Sequence, residues 1–239
     1  MYIALCNDNG FNASLHLNSQ RLRRFTPLAP ARIAITNHDS GERRRVEAFI
    51  ERVFWQSYGA RITRHYPMLL SVHDEQDNVL AALGFRYADK ESLFLEHYLD
   101  NPIEHALGDF YGTQTLRSGV VEIGNLASNA QGASIFMFTA INVYLMQQGK
   151  HINVVTATES LRRYFKALGF DLRDLGHADP LRLQGGGASW GSYYDEDPRI
   201  IAAPIQQVIS RLERHLHVAL NDAESDMLAK LHPDCIRLS

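Results

Sequence analysis

Residues 117–149 read RSGVVEIGNLASNAQGASIFMFTAINVYLMQQG, and the fold follows from how this stretch divides. RSGVVEIGNLA is an apolar run broken by one carboxylate, Glu122. SNAQGAS is a small-residue turn, and IFMFTAINVYLMQQG is a strongly apolar helix. A strand that runs through a glycine-bearing turn into a helix N-terminus makes an anion site, because free backbone N–H groups point outward and the helix dipole favours negative charge. Glu122 lies a few residues before that turn, so the pattern sets a proton acceptor beside a phosphate-bearing ligand.

Downstream, HINVVTAT (151–158) reads as a buried strand and SLRRYFKALGF (160–170) as a helix. That helix carries Leu161, Tyr164, Phe165 and Leu168 on one face, Arg162, Arg163 and Lys166 on the other, and Gly169 as its stop. FDLRDL (170–175) adds a last strand, LQGGGASWGSYYDEDP (183–198) is a glycine- and aromatic-rich loop, and residues 201–220 have the period of an amphipathic helix.

Upstream, RIAIT (32–36) is a short strand, and Asp39 with Glu42 has the spacing of a capping box. Val46, Phe49, Ile50, Val53 and Phe54 form one buried stripe of the helix that follows. MLLSVH (68–73) and VLAALGFRY (79–87) pair as a hairpin. LFLEHYLD (93–100) reads as a further strand with Glu96, Tyr98 and Asp100 on one face, and residues 101–113 as a short helix with Pro102 in its first turn. This order predicts a mixed α/β domain over residues 32–200, preceded by a partly ordered arm (1–31) and followed by a helical extension (201–239).

Composition removes several classes of function. With 45% hydrophobic and 21% charged residues this is an ordinary globular chain, and a net charge of −3 gives no general attraction to nucleic acid or anionic membrane. RLRRF (21–25) and ERRR (42–45) are too short to change that. Cys6 and Cys235 lie near opposite ends and form no zinc, redox or disulfide pattern. No apolar run approaches the ~20 residues of a spanning helix, and the first residues lack a signal-peptide pattern, so the expectation is a cytoplasmic protein. The histidines form no ligand cluster, and there is no G-x-S-x-G elbow, so neither a metal site nor a serine hydrolase is expected.

The order helix, hairpin, Glu-bearing strand, turn, helix, strand, helix ending ALGF resembles the superfamily of GCN5-related N-acetyltransferases. The resemblance implies a mixed central sheet flanked by helices, with acyl-coenzyme A pyrophosphate on the turn before the central helix. In that turn Gly132 matches the family glycine while Asn129 and Ser134 depart from the family pattern; YFKALGF resembles FYEKLGF, with Phe165 where a proton-donating Tyr is common and Tyr164 one residue earlier. VEIGNLAS (121–128) is similar to the Glu-centred strand of acyl-homoserine-lactone synthases, which take acyl groups from acyl carrier protein, although Asn125 replaces their Arg. YGARI…HYPMLLSV, AALGFRYA, LFLEHYLDNPIE, VEIGNLAS and WGSYYDEDPRI together resemble the bacterial thermostable hemolysin family over about residues 30–205.

These readings name the candidate site. Glu122 is the general base, or else an internal partner of Asn125 or a nearby Arg; Glu96 is a second candidate carboxylate. Ala127, Ser128, Gln131, Gly132, Ala133 and Ser134 would hold the pyrophosphate of coenzyme A or of a carrier protein's phosphopantetheine. Tyr98, Asp100 and Asn125 would receive a small amine, or else form a polar edge. Trp190, Tyr193 and Tyr194 would close over the acyl chain, or else plug the core. Two functions stand: an N-acyltransferase drawing on acyl-coenzyme A or acyl carrier protein, with a homodimer possible, and a non-catalytic membrane-active or ligand-binding protein that keeps the fold and adsorbs through residues 201–220.

Overall fold

The computed structural model describes residues 2–7, 12–16, 28, 30–112, 114–130 and 132–216. The hairpin strands have the bounds expected of them: β4 is Met68–His73 and β5 Val79–Tyr87. They are preceded by β1 (Tyr2–Asn7), β2 (Asn12–His16) and β3 (Arg32–Thr36). The Glu-bearing strand is β6 (Val120–Ser128), followed by β7 (Ile152–Ala157), β8 (Arg173–His177) and β9 (Arg199–Pro204). Among the described residues these make one sheet, ordered β2-β1-β3-β4-β5-β6-β7-β9-β8. The pairs β1/β3 and β6/β7 are parallel, and the other neighbours run antiparallel.

Helices cover both faces. On one, α1 (Arg43–Tyr58) sets Val46, Phe49, Ile50 and Phe54 against Leu69, Ala82 and Ala127. On the other lies α3 (Ala133–Gln147), which succeeds α2 (Ile103–Tyr111). Residues Ile135–Leu145 of α3 are all buried, as expected of a helix apolar around its circumference. It is enclosed by the sheet, by α4 (Glu159–Ala167) and by α5 (Ile205–Leu216). No helix of the described residues is long and apolar enough to cross a membrane.

Four expectations need correction. The capping box does not form: α1 starts after Glu42, which makes no cap bond and pairs instead with Arg32. Residues 94–98 are not a strand but a 3-10 turn, because Glu96 accepts hydrogen bonds from the N–H groups of Leu93 (2.8 Å) and Ile103 (3.0 Å) and curls the chain around itself. The last predicted strand lies three residues later, at Arg173–His177. Residues 201–204, expected to start the last helix, instead finish β9, which sits between β7 and β8. Pro204 has no N–H to give and ends that strand. The apolar side of α5 (Ile205, Val208, Ile209, Leu212) is spent on the core, so the amphipathic pattern is explained without a bilayer.

Candidate active site

Two interruptions meet on β6 within a few residues. Its parallel ladder with β7 runs from Val120↔Ile152 to Ile123↔Val155 and stops, while β7 continues to Ala157 on β9 alone. On the other edge, Ala82 pairs with Ala127 and Gly84 with Gly124, so Leu83 faces both Asn125 and Leu126. This is a β-bulge, and Asn125 takes the left-handed conformation (φ 50°) that asparagine tolerates better than most residues. Asn125 is buried, with Nδ2 lacking a hydrogen-bond partner. The result is a V-shaped opening between β6 and β7 with an unpaired stretch of backbone at its apex.

The turn that follows leads into α3 at the open end of the V. Gly132 is the N-cap residue at φ 83°, and no side chain caps the helix; Ala133 N bonds Ala130 O (3.0 Å) and Ile135 N bonds Gly132 O (3.3 Å), so the turn itself holds two of the first N–H groups. Ser134 Oγ donates to Tyr164 Oη (3.3 Å), joining the first turn of α3 to the second turn of α4. Tyr164 therefore reaches the mouth, whereas Phe165 is buried against Phe138 and Phe170. On the α3 side of the sheet lies a cavity of about 40 Å³, lined by Ile123, Leu126, Phe138 and Val155, by Ile201–Ala203 of β9, by Phe165, Phe170 and Leu172 and by Val208 of α5, with Asn142 and Asn153 also on its wall.

Glu122 faces the other side of β6 and is 1% exposed. Its Oε1 accepts from Tyr66 Oη (3.0 Å) and Leu95 N (3.0 Å), its Oε2 from Phe94 N (2.7 Å), and Arg86 Nε lies 3.4 Å from Oε2. The carboxylate thus caps the 3-10 turn at 94–98 and anchors Tyr66. Burial pushes it up to about 7, against the opposing pull of Arg86 and the three donors. The Tyr66 ring lies across Gly124 and Gly84, where any Cβ would overlap it, and Arg86 stacks on the ring 4.5 Å from its centroid. This explains both glycines, and it names Tyr66 and Arg86 as partners of Glu122 that the sequence reading missed. Two glycines in neighbouring strands were the available signal.

The remaining predicted residues fall into separate places. Glu96 and Asp100 line one surface depression that Tyr98 does not reach. Glu96 is clamped by Arg117 (2.6 Å) and held down to about 2, which makes it a poor proton acceptor. Tyr98 is buried with its hydroxyl on that of Tyr194 (2.6 Å), while Asp100 is exposed and pairs with Arg182. Trp190 and Tyr193 pack on Phe54, and Trp190 on Phe94, forming an aromatic cover over the Glu122 side of the sheet. The cover is seated by Ser192 N on Tyr58 O (2.9 Å) and Arg61 N on Ser189 O (2.7 Å). Ala127 points into the α1 cluster, away from the turn, and the exposed Ser128 donates to Ala130 O (3.2 Å). Ala133 and Ser134 open α3, and Gln131 lies outside the described residues.

Residues 36–209 match the model of the family described as thermostable hemolysin. The chain belongs to the thermostable hemolysin family. No curated protein matches it. Among solved structures, this hemolysin-family chain is similar to the acyl-homoserine-lactone synthase LasI (11% identity, TM-score 0.53, 77% of this chain and 93% of that one). It is also similar to FeeM, an N-acyl amino acid synthase from uncultured soil microbes (12%, TM-score 0.52, 77% and 96%). A third likeness is to TofI, solved in a ternary complex with an inhibitor and MTA (14%, TM-score 0.51, 76% and 96%). At these identities the likeness is one of fold: the chain has the mixed α/β, GNAT-like fold of these synthases.

Proposed function

We propose that this hemolysin-family chain is an N-acyltransferase that moves an acyl group from a coenzyme A or carrier-protein thioester to a small amine. The observation that carries the reading is the coincidence, at one point of β6, of the bulge, the parting from β7 and the uncapped N-terminus of α3. A pantetheine arm entering the V has its phosphates at the helix N-terminus and its thioester beside Asn125 and Leu126. The acyl chain then continues into the cavity under Phe138.

In this reading the amine nitrogen attacks the thioester carbonyl, a C–N bond forms and the C–S bond breaks. Backbone N–H groups of the bulge and the free Nδ2 of Asn125 face the carbonyl oxygen as it gains charge, the kind of fixed dipole that stabilises such a transition state. The departing thiolate takes a proton from Tyr164, which replaces the family tyrosine from one position earlier, at the mouth rather than in the core. The proton lost by the amine passes to Glu122, whose elevated value suits an acceptor at neutral pH. Because Glu122 is enclosed, that transfer requires the aromatic cover of Trp190 and Tyr193 to lift from Phe54 and Phe94.

The similarity to an acyl-homoserine-lactone synthase and to an N-acyl amino acid synthase supports the amine acceptor. The test is a thermal-shift panel of acyl-coenzyme A compounds and acylated carrier proteins, followed by mass spectrometry of amine mixtures incubated with the best donor. A donor at 100 times its Kd adds about 2.7 kcal/mol of stability, a readily measured shift. An N-acylated product supports the proposal. Absence of any donor effect, together with leakage of liposomes by the purified protein, would support the membrane-active reading instead.

A further inference from the structure

One ring of the aromatic cover reaches the V itself. Tyr193 Oη donates to the carbonyl oxygen of Thr156 on β7 (3.2 Å). Thr156 is the first residue of β7 beyond Val155, whose pairing with Ile123 is the last before β6 departs. The direction of its carbonyl follows from the neighbouring ladder. Pro198 O accepts from Ala178 N on the β8 side (3.0 Å), so residues 199, 201 and 203 turn their carbonyls to β7, where they meet Ala157, Val155 and Asn153. His151 O, accepting from Ile205 N (2.8 Å), fits the same alternation. Thr156 lies between two residues that point to β9 and therefore points the other way, into the V, level with Gly124 and Asn125.

At that carbonyl the two sides of the molecule touch. The strand that would have paired with it parts from β7 at the bulge, and Tyr193 supplies the missing donor. The bond is long for an O–H donor, whose usual length is ~2.7–2.8 Å, so the acceptor is weakly held. Two buried polar atoms beside it, Thr156 Oγ1 and Asn125 Nδ2, have no partner. The closed arrangement is therefore incompletely satisfied, and a ligand that brings its own donor competes for Thr156 O at little cost. Tyr193 packs on Trp190 and Tyr58 (ring centroids 5.3 Å apart in each case) and on Phe54 (6.4 Å), so a displacement of its hydroxyl is passed to the rest of the cover.

Resting on the acyl-transfer reading, we infer that Tyr193 is a latch that the thioester releases. A thioester set beside Asn125 and Leu126 brings the nearest amide N–H of its pantetheine arm to the level of Thr156, where it takes the carbonyl from Tyr193. The cover then lifts from Phe54 and Phe94, and Glu122 comes within reach of the amine. The proton acceptor is thus uncovered only when a thioester is in place.

The experiment reads the fluorescence of Trp190 in a Trp55→Phe background, since Trp55 and Trp190 are the two tryptophans of the chain. Butanoyl-coenzyme A, or a butanoyl carrier protein, is expected to shift Trp190 emission to the red and to raise its quenching by acrylamide, with the half-saturation point that calorimetric titration gives. Adenosine 3′,5′-bisphosphate, which carries phosphates of coenzyme A but no arm, is expected to leave the emission unchanged. Tyr193→Phe is expected to bind the butanoyl donor about fivefold more tightly, the value of one hydrogen bond that no longer has to be broken. A residue that only props the cover would give no such gain. Donor binding with unchanged Trp190 emission, a shift produced by the bisphosphate alone, or Tyr193→Phe binding that is equal or weaker overturns the latch and leaves acyl transfer standing. Binding of neither butanoyl donor overturns both. The emission series with Tyr193 in place decides the matter even if Tyr193→Phe fails to fold.

Discussion

Neighbouring residues of β6 look onto two differently built sides of the molecule. Glu122 faces a side where three hydrogen-bond donors and one guanidinium converge on two oxygens beneath packed aromatic rings. Ile123 faces a side with a void, a bulge, an uncapped helix end and two amide groups with unused atoms. A saturated network resists change, and an unsaturated one awaits a ligand. The difference separates the side to which the proposed acceptor amine would come, once the aromatic cover lifts, from the side on which the thioester would enter.

Removing the anchor should give the largest effect. Glu122→Ala leaves Tyr66 Oη and two N–H groups buried without a partner and Arg86 with Glu91 and Ser92 O alone, and should cost about 3–5 kcal/mol in urea denaturation. Glu122→Gln sets an amide NH₂ among donors and should cost about 1–3 kcal/mol, so lost turnover in that variant counts as catalytic only if its folded fraction is measured as well.

Acidity provides the next test. A carboxyl raised from 4.5 to about 7 by folding binds more protons in the native state across that window. Its contribution to stability is present below pH 4.5 and is lost as pH rises toward 7, on the order of 3 kcal/mol. Stability of wild type minus that of Glu122→Gln should therefore fall between pH 4.5 and 7, and a flat difference would mean Glu122 is not shifted upward. Glu96, held down to about 2, acts in the opposite sense, and only below pH 4.5.

Smaller effects separate the two sides further. Gly124→Ala places a methyl inside the Tyr66 hydroxyl and should cost about 1–3 kcal/mol, whereas Gly41→Ala meets nothing and should be nearly neutral. Asn142→Leu/Asn153→Val removes a polar pair with one idle acceptor and should change stability by less than about 1 kcal/mol. A large loss there would show that the void side is structural too.

The hairpin, the strand–turn–helix and the buried third helix were legible because length and burial agreed: MLLSVH and VLAALGFRY are short, nearly continuous apolar runs parted by a polar turn, and the apolar helix is long. LFLEHYLD misled because its curvature comes from side-chain acceptance by Glu96 and Glu122, bonds that no local pattern encodes. IIAAP misled because a short apolar run fits strand and helix equally, and here the gap between β7 and β8 decides. Glu122 was singled out correctly as buried, but its partners Tyr66 and Arg86 reach it from distant strand and loop positions. The bulge at Asn125 was invisible because it exists only relative to β5.

The claim on which all of this turns is that a thioester enters between β6 and β7. Leu126→Trp fills that opening from its wall without touching Glu122 or its donors. Calorimetric titration of butanoyl-coenzyme A should show one saturable site in the wild type and at least tenfold weaker binding in the variant, with circular dichroism unchanged. Equal affinity in the two proteins would place the donor elsewhere and contradict the account.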